Sequence, residues 1–281
     1  MKFVFFGYDF SLYALMRLID DGHELVGLYT FPCDGIFSHN EQIKMLAETV
    51  NIKTIEGKIT PQEVENLIGH GAKAFIAFGY KYKIPPVDPK KAYAINLHPA
   101  LLPRARGIMP MPHIIMKDPK AAGLTVHKMT QKYDAGDILY QEPLPVDETT
   151  DIEVLSSRTA ITGAEILSVI VNDLPKYWKK AKPQNERLAT EYPEPSDEMR
   201  TFNWKLPVKD LLRMNRAFGH YGCVANVDGK KLMVTSCSGW EERHALTPGV
   251  IACILPYELI IAAGNGFICL KEYVVFPDQK R

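Results

Sequence analysis

Along the chain, apolar positions fall into two alternating rhythms. Lys2 to Phe6 (KFVFF) is a nearly continuous apolar run closed by Gly7, the pattern of a strand buried on both faces. Leu12, Leu15, Met16 and Ile19 recur at helical spacing and stop at Gly22, and Glu24 to Tyr29 (ELVGLY) predicts a second strand. Strand, helix, strand is how a parallel, doubly wound sheet begins. Ile43, Leu46 and Ala47 mark another helix. Thr60, Pro61 and Glu63 open the next one as N-cap, first-turn proline and capping-box carboxylate. Lys73 to Phe78 (KAFIAF) predicts a further buried strand, which runs into GYKYKIPP, residues 79 to 86, a stiff and partly aromatic loop.

The alternation then breaks at AINLHPALLPRARG, Ala94 to Gly107. If Ala94 to Asn96 end a strand, the period of two puts Asn96 and His98 on one face with Leu97 on the other. Pro99 holds His98 extended, at the strand end where open α/β sheets place their ligands. Beyond it the pattern predicts a short helix at Pro110 to Lys117 and a strand at Leu124 to Met129 carrying His127 on one face. A turn at Tyr133 to Asp137 (YDAGD) and a strand at Ile138 to Gln141 follow, then a long helix capped by Thr150 and packed through Ile152, Leu155, Ile166, Leu167 and Ile170.

From Lys182 to Pro195 prolines and polar residues replace any apolar period, which reads as a linker. After it come Trp204, a helix at Val208 to Phe218 and short strands. Asp228-Gly229 and Asn265-Gly266 sit between strand pairs as hairpin signals, so the tail predicts a small β-barrel or meander. The expected division is a catalytic domain over 1–182, a linker over 183–203 and a β domain over 204–281.

Charge and cysteine content remove several classes. Lys plus Arg and Asp plus Glu number 33 each, so no net field favours nucleic acid or an anionic membrane. The first residues are too short an apolar run for a signal peptide, and no run suggests a membrane span. A soluble, cytoplasmic protein is expected. The five cysteines show no CxxC spacing, so neither disulfides nor structural zinc is expected. Gly7 stands alone at the first turn, so the GxGxxG of a dinucleotide site is missing.

An amide and an imidazole on one face ask for a carboxylate, because a neighbouring anion sets a histidine's charge and tautomer. Asp134 and Asp137, on the glycine turn, are the two candidates. His as proton mover, Asn as oxyanion donor and Asp as tuner describe acyl-type transfer to an amine. The bland alternative is a strand cap, a packed histidine and an ordinary turn. His98, His113 and His127 lack the pairing of a metal triad. Arg104 and Arg106 could fork onto a substrate phosphate or carboxylate, or be solvated loop residues.

NLHPALLPRARGIMP followed by GLTVHKM and YDAGDIL resembles the signature of the 10-formyltetrahydrofolate-dependent formyltransferases. FNW, the helix ending in RAF, TPGVI and AAGNGF resemble the second domain of the methionyl-tRNA and aminoarabinose members, so nearly the whole chain is covered. The resemblance implies a Rossmann-like, mostly parallel formyltransferase sheet with a small C-terminal OB-like β domain. It implies Asn96, His98 and Asp134 as catalytic residues. For 10-formyltetrahydrofolate as co-substrate, it implies a site formed by Phe78, Gly79, Tyr82, Lys83, Ile84, Leu101, Leu102, Pro103, Gln131 and Tyr133. Tyr8, Arg104 and Arg106 are the expected acceptor contacts, and no metal is expected. Two departures stand out: Ala100 replaces the usual serine, and Ile108 and Met109 replace smaller or polar residues.

The acceptor is read from charge. Bacterial methionyl-tRNA formyltransferases carry a long basic loop after the second strand, whereas the equivalent TFPCDGIFSHNEQIK, residues 30 to 44, holds a lone lysine. Gripping tRNA phosphates ordinarily takes several Lys or Arg contacts. A small amine, such as a nucleotide-linked amino sugar, is the expected acceptor and methionyl-tRNA the alternative. A hydrolase using water, or a non-catalytic folate-binding module, are further readings.

Overall fold

The computed structural model describes residues 1–35 and 38–276. In chain order the elements are β1 (Lys2–Gly7), α1 (Leu12–Asp20), β2 (Glu24–Thr30), α2 (Glu41–Thr49), β3 (Thr54–Glu56), α3 (Pro61–Gly69), β4 (Ala74–Phe78), β5 (Tyr93–His98), α4 (Pro110–Lys117), β6 (Gly123–Lys128), β7 (Ile138–Pro143), α5 (Ile152–Asn172) and α6 (Leu174–Lys180). Then come α7 (Val208–Phe218), β8 (Cys223–Val227), β9 (Lys230–Glu241), β10 (Ile251–Ile254), β11 (Leu259–Ala263) and β12 (Gly266–Val275). They form two compact units. The first holds Met1–Pro110, Lys120–Pro145 and Ser156–Tyr192; the second holds Met111–Pro119, Val146–Leu155 and the chain from Pro193 onward.

The first unit is built on a seven-stranded sheet in the order β3-β2-β1-β4-β5-β6-β7. The pairs out to β4–β5 are parallel, whereas β5–β6 and β6–β7 are antiparallel. The sheet is therefore Rossmann-like and mostly parallel, with its antiparallel edge beside the strand that carries Asn96 and His98. β1, β2 and β4 read as nearly continuous apolar runs because both faces are covered. Val4, Phe6, Tyr29, Val64, Phe75 and Ala94 fill one core cluster. Gly163 of α5 has Phe78 and Leu97 so close that an added Cβ would lie 3.1 Å from the phenyl ring, so a side chain there would require that ring to give by a few tenths of an ångström. Among the described residues α5 has the length and apolarity of a membrane span, but Ala164, Leu167, Ile170 and Val171 are buried as in a core helix.

Helix starts follow the predicted chemistry in one case and not in another. Thr60 caps α3 with the reciprocal Glu63 contact expected of a capping box. At α5 the capping carboxylate is Asp151, which accepts from Val154 N–H at 2.8 Å, while the Thr150 hydroxyl goes to Asp147 at 3.0 Å. Thr150 was one residue too early for the cap because the Asp147 turn captures it.

The second unit holds a five-stranded antiparallel sheet, β10-β11-β12-β9-β8, packed on α7, consistent with an OB-like domain. Asp228 and Gly229 both have positive φ, at 48° and 71°, and join β8 to β9 as a two-residue turn. The second hairpin turns one residue earlier than predicted: Ala263 pairs with Gly266, leaving Gly264 and Asn265 as the turn. Gly264 is needed there because a Cβ would lie 2.4 Å from the Lys205 carbonyl oxygen, and Asn265 accepts from the first N–H of α7, on Val208, at 2.8 Å. β3, α6 and β10 were not legible in the apolar pattern.

The boundaries also differ from the expected linear division. The second unit takes up residues 111–119 and 146–155, and the supposed linker as far as Tyr192 belongs to the first unit. Residues 277–281, the end of the expected β domain, lie outside the described residues.

Candidate active site

Asn96 and His98 stand two residues apart on β5, and β6 places His127 directly opposite Asn96. The Asn96 Nδ2 atom lies 3.1 Å from His127 Nε2. His127 Nδ1 lies 2.9 Å from the Lys128 carbonyl, which can only accept, so Nδ1 carries the proton and Nε2 accepts from the Asn96 amide. One N–H of that amide is used in this way, and among the described residues the other has no acceptor.

His98 is 3 % exposed, and its Nε2–H donates to the Ala105 carbonyl at 2.8 Å. That bond turns Nδ1 toward Asp134, whose Oδ1 lies 3.6 Å away. The same oxygen lies 3.6 Å from His127 Nε2, and the other, Oδ2, accepts from Gly107 N–H at 3.1 Å. Asp134 therefore sits between two imidazoles and a backbone donor. Asp137, the other candidate carboxylate, instead pairs with Lys128 at 3.0 Å.

The electrostatics follow from this packing. Burial alone would raise the Asp134 carboxyl, but His98, His127 and the Gly107 N–H together hold it well below the usual carboxylate range. Burial is also the main influence on His98 and lowers its pKa, with the Asp134 charge working the other way. The resting pair is an ionised Asp134 beside a neutral His98. Asp134 and Ala105, which present the carboxylate and the carbonyl to His98, both have left-handed backbones, with φ of 50° and 53°. For a non-glycine residue this conformation is strained and persists only where neighbours enforce it.

The enforcing neighbours come from the stretch that composition marks as linker. Gln184 Nε2 donates to the carbonyls of Asp134 and Gly136 at 2.7 and 2.8 Å. Arg106 N–H donates to the Thr190 carbonyl at 2.9 Å, Ala105 N–H to the Thr190 hydroxyl at 2.8 Å, and Tyr192 N–H to the Arg106 carbonyl at 2.9 Å. Residues 184–192 thus bind down the loop that carries Ala105 and Gly107.

Arg106, an expected acceptor contact, is engaged by the protein's own side chains. It is 3 % exposed and forks onto Glu186 at 3.0 and 2.6 Å while reaching Gln184 at 2.6 Å. Arg104 is half-buried on the same loop. Tyr8 stacks on Phe10 with ring centroids 5.7 Å apart and packs against Gly79, where φ is +79° and a Cβ would lie 2.8 Å from the tyrosine ring.

The three segments expected around the folate meet partly. Lys83 donates to the Gln131 carbonyl, and its ammonium lies 5.6 Å from the Tyr133 ring centroid, joining the loop after β4 to the loop after β6. Tyr82, Ile84, Leu101 and Pro103 are half-buried, and Tyr133 and Gln131 are exposed. Phe78 and Leu102 differ from expectation. Both side chains are interior, and the Leu102 N–H and C=O are already bonded to Thr125 and Gln141. Position alone could not separate a core residue from a wall residue here. His113, on the second unit, lies 2.9 Å from the Pro193 carbonyl. Sequence reasoning missed His127 as a member of the cluster and Gln184 as its support. The first was visible as a histidine on one face of a strand, but only pairing with β5 shows that the face is shared with Asn96.

Residues 56–171 match the family described as "Formyl transferase", and residues 196–280 match "Formyl transferase, C-terminal domain". A methionyl-tRNA formyltransferase of Bacillus velezensis is 26 % identical over 291 aligned positions, which cover 100 % of this chain and 92 % of that protein. Among solved structures, HypX from Aquifex aeolicus in complex with tetrahydrofolic acid superposes with a TM-score of 0.69 at 19 % identity, over 99 % of this chain but 46 % of HypX. WlaRD, a sugar 3N-formyl transferase solved in the presence of dTDP and 5-N-formyl-THF, superposes with a TM-score of 0.69 at 15 % identity, over 98 % of both chains. At those identities the structures share the fold. The two family matches take in well over half of the chain in their proper order, and the chain belongs to the formyl transferase family of enzymes.

Proposed function

We propose that this enzyme transfers the formyl group of 10-formyltetrahydrofolate to a primary amine through Asn96, His98 and Asp134, and that the amine belongs to a small anionic acceptor such as a nucleotide-linked amino sugar. The observation that carries the chemistry is the Asp134 carboxylate standing 3.6 Å from a buried His98 whose other nitrogen is already tied to Ala105.

The folate, when bound, supplies an acyl carbon attached to a nitrogen leaving group. Tyr82, Lys83, Ile84, Leu101, Pro103, Gln131 and Tyr133 offer half-buried apolar walls and exposed polar atoms of the sort a pterin needs. The tetrahydrofolate bound to HypX and the formyl-THF present with WlaRD support that assignment. The spare N–H of Asn96 donates to the carbonyl oxygen where negative charge develops. His98 Nδ1 would take up the proton of the attacking amine as its bond to the formyl carbon forms, with Asp134 stabilising the imidazolium, and would return that proton to the leaving nitrogen as the old carbon–nitrogen bond breaks. His127 orients the Asn96 amide by accepting from its first N–H. Each donor is fixed before reaction, so little reorganisation is needed as the charge appears.

Two observations favour a small anionic acceptor. The lone lysine of residues 30–44, Lys44, is bound to Glu56 at 2.7 Å and is not presented to phosphates; Ile36 and Phe37 of that loop lie outside the described residues. Lys58 and Lys81 lie 5.4 Å from the Tyr82 ring centroid, and Lys81 lies 4.6 Å from that of Phe31, near the carboxyl ends of β2 and β4. Among the described residues neither lysine has a carboxylate within 4.0 Å. A second reading, methionyl-tRNA as acceptor, is favoured by the near end-to-end match to the Bacillus velezensis enzyme.

The deciding experiment offers 10-formyltetrahydrofolate with methionyl-tRNA and with several nucleotide-linked amino sugars, and follows formylated product by mass. Product on an amino sugar and none on the tRNA is expected. Product on the tRNA alone would overturn the acceptor, and formate release without any amine product would overturn transfer in favour of hydrolysis.

A further inference from the structure

The second unit contains a cavity of about 310 Å³ that the formyl-transfer residues do not use. It is lined by Ile115 and Met116 of α4, Val146, and the charged side chains Lys117, Arg213 and Arg216, with Asp147 and Glu148 at the entry to α5. Arg213 and Arg216 are three residues apart on α7 and so project from one face.

The cations are incompletely satisfied. The Arg216 Nε is buried without a hydrogen-bond partner, and among the described residues neither Arg216 nor Lys117 has a carboxylate within 4.0 Å. Arg213 has only a loose contact with Asp210, at 3.6 Å. Burial and the neighbouring Arg213 both work against the Arg216 cation; Glu148, Asp147 and Asp151 lie near enough to offset part of that cost. Asp147 is held by its own turn instead: its Oδ1 accepts from the N–H and hydroxyl groups of Thr149 and Thr150, and neither of its oxygens comes within 4.0 Å of Arg216. Arg216 is half-buried as a whole, and a buried donor atom such as its Nε is costly unless something accepts from it.

We infer that this cavity is a binding site for a small phosphorylated polyol. The phosphate would accept forked hydrogen bonds from Arg216 and Arg213 with Lys117 as a further charge. The hydroxyl groups would donate to Glu148 and to the second oxygen of Asp147, and the carbon skeleton would lie along Ile115, Met116 and Val146. The two carboxylates set the preference: they offset a bare anion's attraction and reward a ligand that brings donors as well as charge. The volume suits a ligand of sugar-phosphate size.

The test is calorimetric titration of the full chain with glucose 6-phosphate, inorganic phosphate and glucose, repeated with Arg216→Gln and Arg213→Gln proteins whose folding is checked by circular dichroism. Saturable binding of glucose 6-phosphate, tighter than inorganic phosphate and weakened about tenfold or more in each variant, is expected, since each loses a charge-assisted bond. Arg213→Gln keeps the test valid if Arg216→Gln fails to fold. Absence of saturable binding, or binding unchanged in the folded variants, would overturn the site; equal affinity for inorganic phosphate would overturn the polyol.

Discussion

Replacing Asp134 with Asn keeps the shape of the side chain and an acceptor for Gly107 N–H, and removes only the charge. In the wild type that charge lies 3.6 Å from His98 Nδ1. With an effective dielectric of about 20, a carboxylate and an imidazolium at that spacing attract by about 4 to 5 kcal/mol. Full loss of the attraction in the transition state would slow the reaction by about three orders of magnitude, and partial proton transfer by about two. The effect should fall on kcat and kcat/KM together, because a neutral resting His98 has little to lose in the ground state. The assay is formyl transfer to whichever amine the acceptor panel selects, run from pH 5 to 9 on protein whose thermal midpoint has been checked. A folded Asp134→Asn enzyme with kcat/KM within about threefold of wild type would refute the reasoning, since it would mean that no charge develops on His98.

Three further outcomes follow from the same geometry. Gln184→Ala, which frees the carbonyls of Asp134 and Gly136, should lower kcat about 10- to 100-fold with a KM close to wild type and little change in thermal midpoint; an unchanged kcat would show that the loop holds its own shape. Gly107→Ala should destabilise the protein by about 2 to 4 kcal/mol in urea titration, because φ is +119° and the new Cβ would lie 2.2 Å from the Tyr192 carbonyl oxygen; an unaltered midpoint would contradict the packing. His98 has a folded pKa below its ordinary value of 6.5, so its contribution to stability is fully present above about pH 6.5 and is lost as pH falls through that value toward the folded one. Asp134, also depressed, adds a second loss below the ordinary carboxylate value of about 4. Urea midpoints measured between pH 7.5 and 5 should therefore decline in the wild type and decline less in His98→Asn, and equal slopes would remove His98 as the source.

Much of this protein is decided locally. Buried parallel strands must be apolar on both faces, so β1, β2 and β4 announce themselves as runs. The capping box of α3 and the Asp228-Gly229 hairpin depend on neighbours within a few residues and are legible for the same reason. The pairing of Asn96 with His98 needs only the two-residue period of a strand, and family resemblance then suggests the donor on which they act. Tertiary structure decided what period and spacing cannot carry. Which of two carboxylates on one turn serves His98 depends on the backbone of a loop held by Gln184, fifty positions away in the chain. Arg104 and Arg106 look alike in sequence, yet one is half-buried and the other is consumed by Glu186. His127 enters the cluster because β6 runs antiparallel to β5, a choice of strand direction that no local pattern records. The stretch from 184 to 192 has the composition of a linker because its regular helical structure is limited to one 3-10 turn, Glu186–Leu188. Its hydrogen bonds go to the loops that carry Ala105, Arg106 and Asp134 instead, and polar residues serve that purpose as well as they would serve solvent.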